Sequence, residues 1–164
     1  MGLEELYSQV IKDHNLSHHN KHPLEGASIA MPGKNPSCGD EVELYLKLED
    51  GLIRDASYTG VGCAISQASI SIMIDLVRGK TPREARDLCR LFLGMIRRTP
   101  LSQAELERLE EAAALAGVSS MPARVKCATM PWHTLEAALE ACEGKQVTKK
   151  NALEEQHSSK ALRS

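Results

Sequence analysis

The sequence lacks any segment that would cross or enter a membrane. Its 164 residues contain no apolar run approaching the ~18 residues that span a bilayer. The opening residues, MGLEELYSQVIKDH, include acidic side chains early and no long apolar region such as a signal peptide has. Leu6 stands where a myristoylation signal has Ser or Thr. We therefore expect a cytoplasmic protein.

The sequence also lacks a large excess of charge of either sign. Lys and Arg number 20, Asp and Glu number 22, and the formal net charge is -2. Without a basic field to attract polyanions, neither nucleic acid nor a membrane surface is expected as a partner. Apolar residues make up 42% of the chain, which is enough for the core of a single domain.

The chain has no Cys-x-x-Cys pair. Its five cysteines are widely scattered: Cys38, Cys63, Cys89, Cys127 and Cys142. An odd number at wide spacing does not fit the disulfide framework of a small secreted domain. In a reducing compartment such residues are metal ligands, catalytic thiols or small core residues, and spacing alone does not choose among them.

Apolar periodicity divides the chain into a first helix, three strands and a helical second half. Thr81 and Ser102 are expected to cap helices, and Asp50-Gly51 is a hairpin signal. The histidine-rich residues 14–22 lack a regular register and predict a solvated loop rather than a metal site. The predicted elements are a helix at 3–14, strands at 27–31, 42–48 and 52–59, and helices at 64–79, 81–95, 102–115 and 120–142.

This order of elements predicts an α+β fold, with a small antiparallel three-stranded sheet covered on one face by helices. Residues 1–144 form the expected domain. Residues 145–164 are polar, without periodic apolar positions, and are expected to form a flexible C-terminal tail.

Three cysteines stand at the ends of predicted elements and could meet at one point. Cys38 precedes a strand, Cys63 lies between a strand and a helix, and Cys127 lies in the last helix. Asp40 follows Cys38 after one glycine. Because Gly39 can adopt backbone angles closed to other residues, both side chains can turn toward one ion. Three thiolates and a carboxylate suit tetrahedral zinc.

Such a site would carry four negative charges against the two positive charges of zinc. Arg124, one helical turn before Cys127, is placed to offset part of this excess. The alternative is that these cysteines are small buried hydrophobic residues. Cys89 and Cys142 lie in predicted helices without polar neighbours and are expected to be packing or surface residues.

Three segments of the sequence together carry a resemblance to a known protein family. NPSCGDEVEL, YTGVGCAISQASISIM and MPARVKCATMPWHTLEAAL, with LYSQVIKDH before them, resemble the U-type iron–sulfur scaffold family, which includes IscU and the NifU N-terminal domain. The resemblance covers about residues 3–142, and its three motifs occur in the family's order. Within the family, the sequence is most similar to the SufU branch.

Departures from IscU support that branch. Lys126 stands where IscU-type proteins have a histidine, and it either offsets the charge of the site or faces solvent. The LPPVK chaperone-binding motif is absent, with SMPARVKC in its place. Compared with IscU, the stretch between Cys63 and Cys127 is about twenty residues longer, with the insertion around segment 84–112.

The resemblance implies a zinc-bound sulfurtransferase that acts as a sulfur carrier rather than as a stand-alone catalyst. By the family's motifs, the zinc ligands are Cys38, Asp40, Cys63 and Cys127. Cys38 is then the sulfur acceptor and Arg124 supports the site. The implied partners are a SufS-type cysteine desulfurase, which donates persulfide sulfur, and a SufBCD-type scaffold complex, which receives it.

Two other functions remain open at this point. The same residues could hold a transient [2Fe-2S] cluster, which would make the chain a scaffold for cluster assembly. In that case Asp40 would be a weak, hard ligand suited to release. Alternatively, zinc could be purely structural in an adaptor for the desulfurase.

Overall fold

The computed structural model describes the backbone of residues 3–162, and the side chains of residue 5 and of residues 7–144. A three-stranded antiparallel sheet is combined with helices, which confirms the predicted α+β class. In chain order the elements are α1 (Leu3–Ser17), β1 (Ile29–Asn35), β2 (Asp40–Glu49), β3 (Leu52–Val61), α2 (Ala64–Val77), α3 (Pro82–Ile96), α4 (Gln103–Arg108), a 3₁₀ segment (Glu110–Ser120) and α5 (Pro122–Leu162).

The central strand β2 carries the alternation that the sequence predicts. Its neighbours are β1 and β3, in the order β1-β2-β3. Val42, Leu44 and Leu46 are buried beneath the helices, whereas Glu41 and Glu43 are exposed. Because side chains alternate between faces, Asp40 at the start of the strand shares the buried face with the apolar residues. The strand therefore places a carboxylate at the edge of the core.

The first strand lies further along the chain than predicted. It spans Ile29–Asn35 instead of residues 27–31, and it contains Pro32. Proline cannot donate to a strand ladder, but β1 is an edge strand and pairs only with β2. The pairing ends with Asn35 opposite Asp40, so β1 runs directly into the loop that carries Cys38.

The helix α5 packs against both α2 and β1. Trp132 fixes it in place, since its indole stacks on Phe92 with ring centroids 4.0 Å apart and its Nε1 donates to Ser69 Oγ at 3.0 Å. Trp132, Phe92 and Ser69 are fully buried. This packing holds the N-terminal part of α5 over the β1–β2 loop.

The prediction of a helix at 102–115 is wrong beyond residue 108. Ser102 caps α4 with the expected capping box, but the α-helix ends at Arg108 and a 3₁₀ segment follows. Glu110 has a φ of 49°, which interrupts α-helical geometry. The buried residues of the segment, Ala112, Leu115 and Val118, recur every third position, as a helix with three residues per turn requires.

Two helices are longer than predicted. α1 continues to Ser17 instead of ending at His14. α5 continues to Leu162 instead of ending near Cys142, so the backbone of the expected tail is helical for most of its length. The side chains of residues 145–164 lie outside the described residues, and the division into a domain and a flexible tail stays a prediction.

Candidate metal centre

The loop between β1 and β2 presents Cys38. Its residues 36–39 connect the paired Asn35 and Asp40, and the Cys38 N–H donates to the Asn35 carbonyl at 3.2 Å. Gly39 has a φ of 69°, in the region that disfavours residues with a Cβ atom. As predicted, a glycine closes the turn between the thiol and the carboxylate. The thiol is half-buried, while Asp40 is only 2% exposed.

Asp40 is held by donors on both of its oxygens. Oδ1 accepts from the Cys63 N–H at 2.8 Å and from the Ser66 hydroxyl at 3.0 Å. Oδ2 accepts from Asn35 Nδ2 at 3.2 Å. A buried carboxylate needs such partners, because desolvation of an unpaired charge is costly. The carboxylate therefore has a defined orientation toward the thiols.

Cys63 is the N-cap residue of α2. Its sulfur accepts from the Ser66 N–H at 3.4 Å, which satisfies a donor that the first helical turn leaves free. The preceding Gly62 has no side chain, and a Cβ there would overlap Ser66 Oγ and lie 2.9 Å from Asp40 Oδ1. The strand-to-helix junction is therefore shaped around Asp40 as well as around the thiol.

Cys127 enters the same place from α5. Its sulfur is fully buried and lies 3.0 Å from Cys38 Sγ, although the two residues are 89 positions apart. Ligand atoms of Cys38, Asp40 and Cys127 all lie within 4.8 Å of one another. Cys63 also interacts with the Cys127 thiol. Three of the four sequence-predicted ligands thus come together, and the fourth, Cys63, contacts Cys127 and donates its N–H to Asp40.

The electrostatics of the group call for positive charge. The pKa of the Cys127 thiol is raised, chiefly by burial. Hydrogen bonds with Cys38 and Cys63 and the charges of Cys63 and Asp40 raise it further. Arg124 supplies one cation: its bond with Cys127 and the charges of the three thiols raise its own pKa. Since the guanidinium is exposed, solvent screens much of its effect.

The donor set fits zinc on the chemistry of its atoms. Three sulfurs and one carboxylate oxygen are the ligand types that zinc takes in four-coordinate sites. A divalent cation would also favour the ionised thiols that crowding otherwise disfavours. Cys38, Asp40 and Cys127 form the tight group that could hold it, with Cys63 alongside.

Sequence reasoning missed two residues of this site. Asn35 lies at the end of β1 with 4% exposure and donates to Asp40, and its Nδ2 also lies 3.5 Å from Cys127 Sγ. Ser66 is fully buried and donates to Asp40. The signals were present: a polar residue just before the Cys38 loop, and a serine three positions after an N-cap cysteine.

A second group in the described part of the chain could geometrically hold a metal: His14, His19 and Asp75. Protein groups already satisfy these atoms. His14 lies between Ser71 Oγ at 2.8 Å and Glu111 Oε1 at 3.2 Å. Asp75 accepts from Asn20 and Arg78, and His19 Nε2 lies 3.0 Å from Asp75 Oδ2. The cluster therefore joins α1 to α2 by hydrogen bonds.

The remaining cysteines lie away from this centre. Cys89 is fully buried in α3, and burial, followed by the charge of Glu136, raises the pKa of its thiol. Cys142 is buried in α5. Of the two expected alternatives, packing or surface residues, both positions agree with packing. Lys126 is exposed and lines a groove of about 660 Å³ between β1 and α5, in agreement with the solvent-facing alternative.

Comparison with known proteins identifies the family. The family described as the NifU-like N-terminal domain matches residues 6–128, three quarters of the chain. The chain belongs to this family. The resemblance seen in the sequence motifs is thereby confirmed.

Relatives of both branches cover nearly the whole domain. The Bacillus subtilis "Zinc-dependent sulfurtransferase SufU" is 39% identical over 144 residues, covering 87% of this chain and 95% of the relative. The Thermotoga maritima "Iron-sulfur cluster assembly scaffold protein IscU" is 37% identical over 139 residues, covering 85% and 96%.

A solved structure supports the same fold. The Fervidobacterium islandicum protein, described as a putative iron–sulfur cluster assembly scaffold protein for the SUF system, matches with a TM-score of 0.74 and 37% identity. The match covers 84% of this chain and 99% of that one.

Among the described residues, no helix combines the length and apolar character needed to cross a bilayer.

Proposed function

We propose that this chain is a zinc-dependent sulfur carrier in iron–sulfur cluster assembly, with Cys38, Asp40, Cys63 and Cys127 as the zinc ligands. Cys38 accepts persulfide sulfur from a SufS-type cysteine desulfurase and passes it toward a SufBCD-type scaffold in the cytoplasm. The relative named a zinc-dependent sulfurtransferase supports this proposal, as does the grouping of thiols and carboxylate.

The difference in exposure between the thiols carries the proposal. Cys38 is half-buried on a loop, whereas Cys127 is fully buried in a helix and Asp40 is 2% exposed. Cys63 is also half-buried, but it caps α2 and its sulfur accepts from the Ser66 N–H, so Cys38 is the accessible thiol that no helix holds. A persulfide carried by another protein can reach only a thiol that is accessible or can move outward. Cys38 meets this requirement, and the buried groups can keep their places while it does so.

The chemistry of transfer balances without an external oxidant or reductant. Zinc, when bound, would hold the thiols deprotonated at neutral pH. The Cys38 thiolate attacks the terminal sulfur of the donor persulfide, forming a new S–S bond at Cys38. The S–S bond of the donor breaks, and the donor cysteine leaves as a thiolate. Arg124, beside all three sulfurs, favours the anionic forms.

Mass spectrometry tests the proposal directly. We expect the Cys38 peptide to gain the mass of one sulfur after incubation with the desulfurase and cysteine. The peptides with Cys89 and Cys142 serve as internal controls, because these residues are buried away from the centre. A desulfurase that turns over while Cys38 gains no sulfur would refute the proposal.

A scaffold for cluster assembly is the second candidate. The relatives named IscU scaffold proteins favour it, and the same thiols could hold a [2Fe-2S] cargo. Metal analysis of protein purified without chelator separates the two functions. About one zinc per chain in a colourless protein favours transfer, whereas a brown protein with acid-labile sulfide favours the scaffold.

A further inference from the structure

We propose that Asn35 and Ser66 are positioning residues that hold Asp40 and Cys127 in the geometry of the metal centre while Cys38 is away. The inference deepens the proposed function and depends on it for the departure of Cys38. Neither residue would be a ligand. Each acts through the hydrogen bonds that it donates to the groups that remain.

Ser66 ties the carboxylate to the start of α2. Its hydroxyl lies 3.0 Å from Asp40 Oδ1 and 3.1 Å from the Cys63 carbonyl oxygen, two acceptors that share its one proton, and the Cys63 N–H donates to Oδ1 at 2.8 Å. The Ser66 N–H also donates to Cys63 Sγ. A single residue thus contacts two of the proposed ligands, and its full burial protects these bonds from competition by water.

The hydrogen bonds leave one side of the carboxylate available. A carboxylate oxygen has two lone-pair sites, so the two donors on Oδ1 occupy that oxygen. Within the part of the chain that the structure describes, Oδ2 accepts from Asn35 alone and keeps one site for a cation. Ser66 and Asn35 therefore determine which oxygen of Asp40 would face the metal.

Asn35 joins Asp40 to Cys127 on α5. Its amide nitrogen has two N–H groups, and it lies 3.2 Å from Asp40 Oδ2 and 3.5 Å from Cys127 Sγ. One side chain therefore connects the start of β2 with α5. This bridge does not pass through Cys38, so it persists when that loop moves.

The contacts of Cys38 are weaker by comparison. Its sulfur lies against Cys127 Sγ and, at 4.0 Å, against the carbonyl of Ala123. Departure of this thiol would leave all four donor contacts of Asn35 and Ser66 with Asp40, Cys63 and Cys127 in place. The remaining ligands are thus pre-organised for a site with one position open.

The test measures zinc affinity, by competition with a chromophoric chelator, in the full-length protein. Ser66→Ala and Asn35→Ala are each made in the parent and in a Cys38→Ser background. Ser57→Ala is the matched control, because Ser57 is equally buried and its hydroxyl makes no hydrogen bond within the described chain. Thermal unfolding of the zinc-free proteins checks that each variant folds.

We expect each variant to weaken zinc binding by about 10- to 100-fold. The loss should be larger in the Cys38→Ser background, where three ligands remain. Losses no larger than that of Ser57→Ala, or equal in the two backgrounds, would overturn the inference. If Asn35→Ala fails to fold, Ser66→Ala decides the outcome, since it removes a single oxygen atom.

The two proposals can fail separately. A parent protein that binds zinc but accepts no sulfur on Cys38 refutes the proposed function, while the affinity measurement still decides the positioning role. A parent that accepts sulfur, with Ser66→Ala and Asn35→Ala matching the control, refutes only the positioning role. A parent that binds no zinc overturns both.

Discussion

Two parts of the site hold their ligand atoms very differently. One is the loop of residues 36–39, which carries Cys38; the other, here called the wall, consists of Asp40, Cys63 and Cys127. On the wall, Asp40 accepts three hydrogen bonds and Cys127 is fully buried in a helix. On the loop, Cys38 is half-buried in a four-residue turn closed by Gly39. One candidate ligand can therefore move without disturbing the others, which is what a sulfur carrier requires.

Cys38→Ser should have the largest effect on function. The variant loses the thiol that accepts sulfur, so we expect no detectable sulfur transfer in the mass assay. Because the wall is intact, the protein should fold and should still bind zinc, but more weakly than the parent. Ser37→Ala, an exposed neighbour on the same loop, is the control. Sulfur acceptance by Cys38→Ser at the level of the parent would contradict the assigned role.

Asp40→Ala tests the wall. Removal of the carboxylate takes away a proposed ligand and leaves the Cys63 N–H and one Asn35 N–H without an acceptor, each costing about 1–3 kcal/mol, while the Ser66 hydroxyl keeps the Cys63 carbonyl. We expect zinc affinity to fall about 100-fold or more and thermal stability to fall as well.

Glu41→Ala is the matched control for that measurement. It removes an adjacent carboxylate that is exposed and pairs only with Lys34 in the described chain. Surface pairs of this kind contribute about 0–1 kcal/mol. If Asp40→Ala bound zinc and supported transfer as well as the parent, the distinction between a fixed wall and a mobile loop would be wrong.

Arg124→Ala should have a moderate effect, because the guanidinium is exposed and screened. Its charge lies beside the three sulfurs, and we expect the rate of sulfur acceptance to fall about tenfold. The difference should shrink as salt is added. Lys126→Ala removes an exposed cation two residues away and should change little. Equal losses in the two variants would indicate a general charge effect instead.

Gly39→Ala should have the smallest effect and acts only on the loop. A Cβ at residue 39 meets no atom within 4 Å, so the cost is the positive φ itself, about 1 kcal/mol. Gly26→Ala is closely matched, with a φ of 73° and equally open space. Both should lower thermal stability similarly, and only Gly39→Ala should slow sulfur acceptance. A rate unchanged by Gly39→Ala would show that the loop geometry does not control transfer.

The sequence predicted β2 and the starts of two helices better than the 3₁₀ segment and the span of β1. Alternation in β2 and the caps at Thr81 and Ser102 are local signals, and the structure confirms them. The 3₁₀ segment was missed because Leu109, Ala112 and Leu115 fit an α-helical pattern as well as a period of three. The span of β1 was missed because Pro32 is tolerated only at an edge, which a sequence does not reveal.

The sequence by itself determined the types of ligand, the glycine that turns Cys38 and Asp40 together, and the order of the elements. These depend on neighbours a few residues apart. Only the tertiary structure decided that Cys127 meets Cys38 across 89 positions and that Asn35 lies between Asp40 and Cys127. The physical reason is that such contacts arise from the packing of α5 across β1 and α2, which no local pattern encodes.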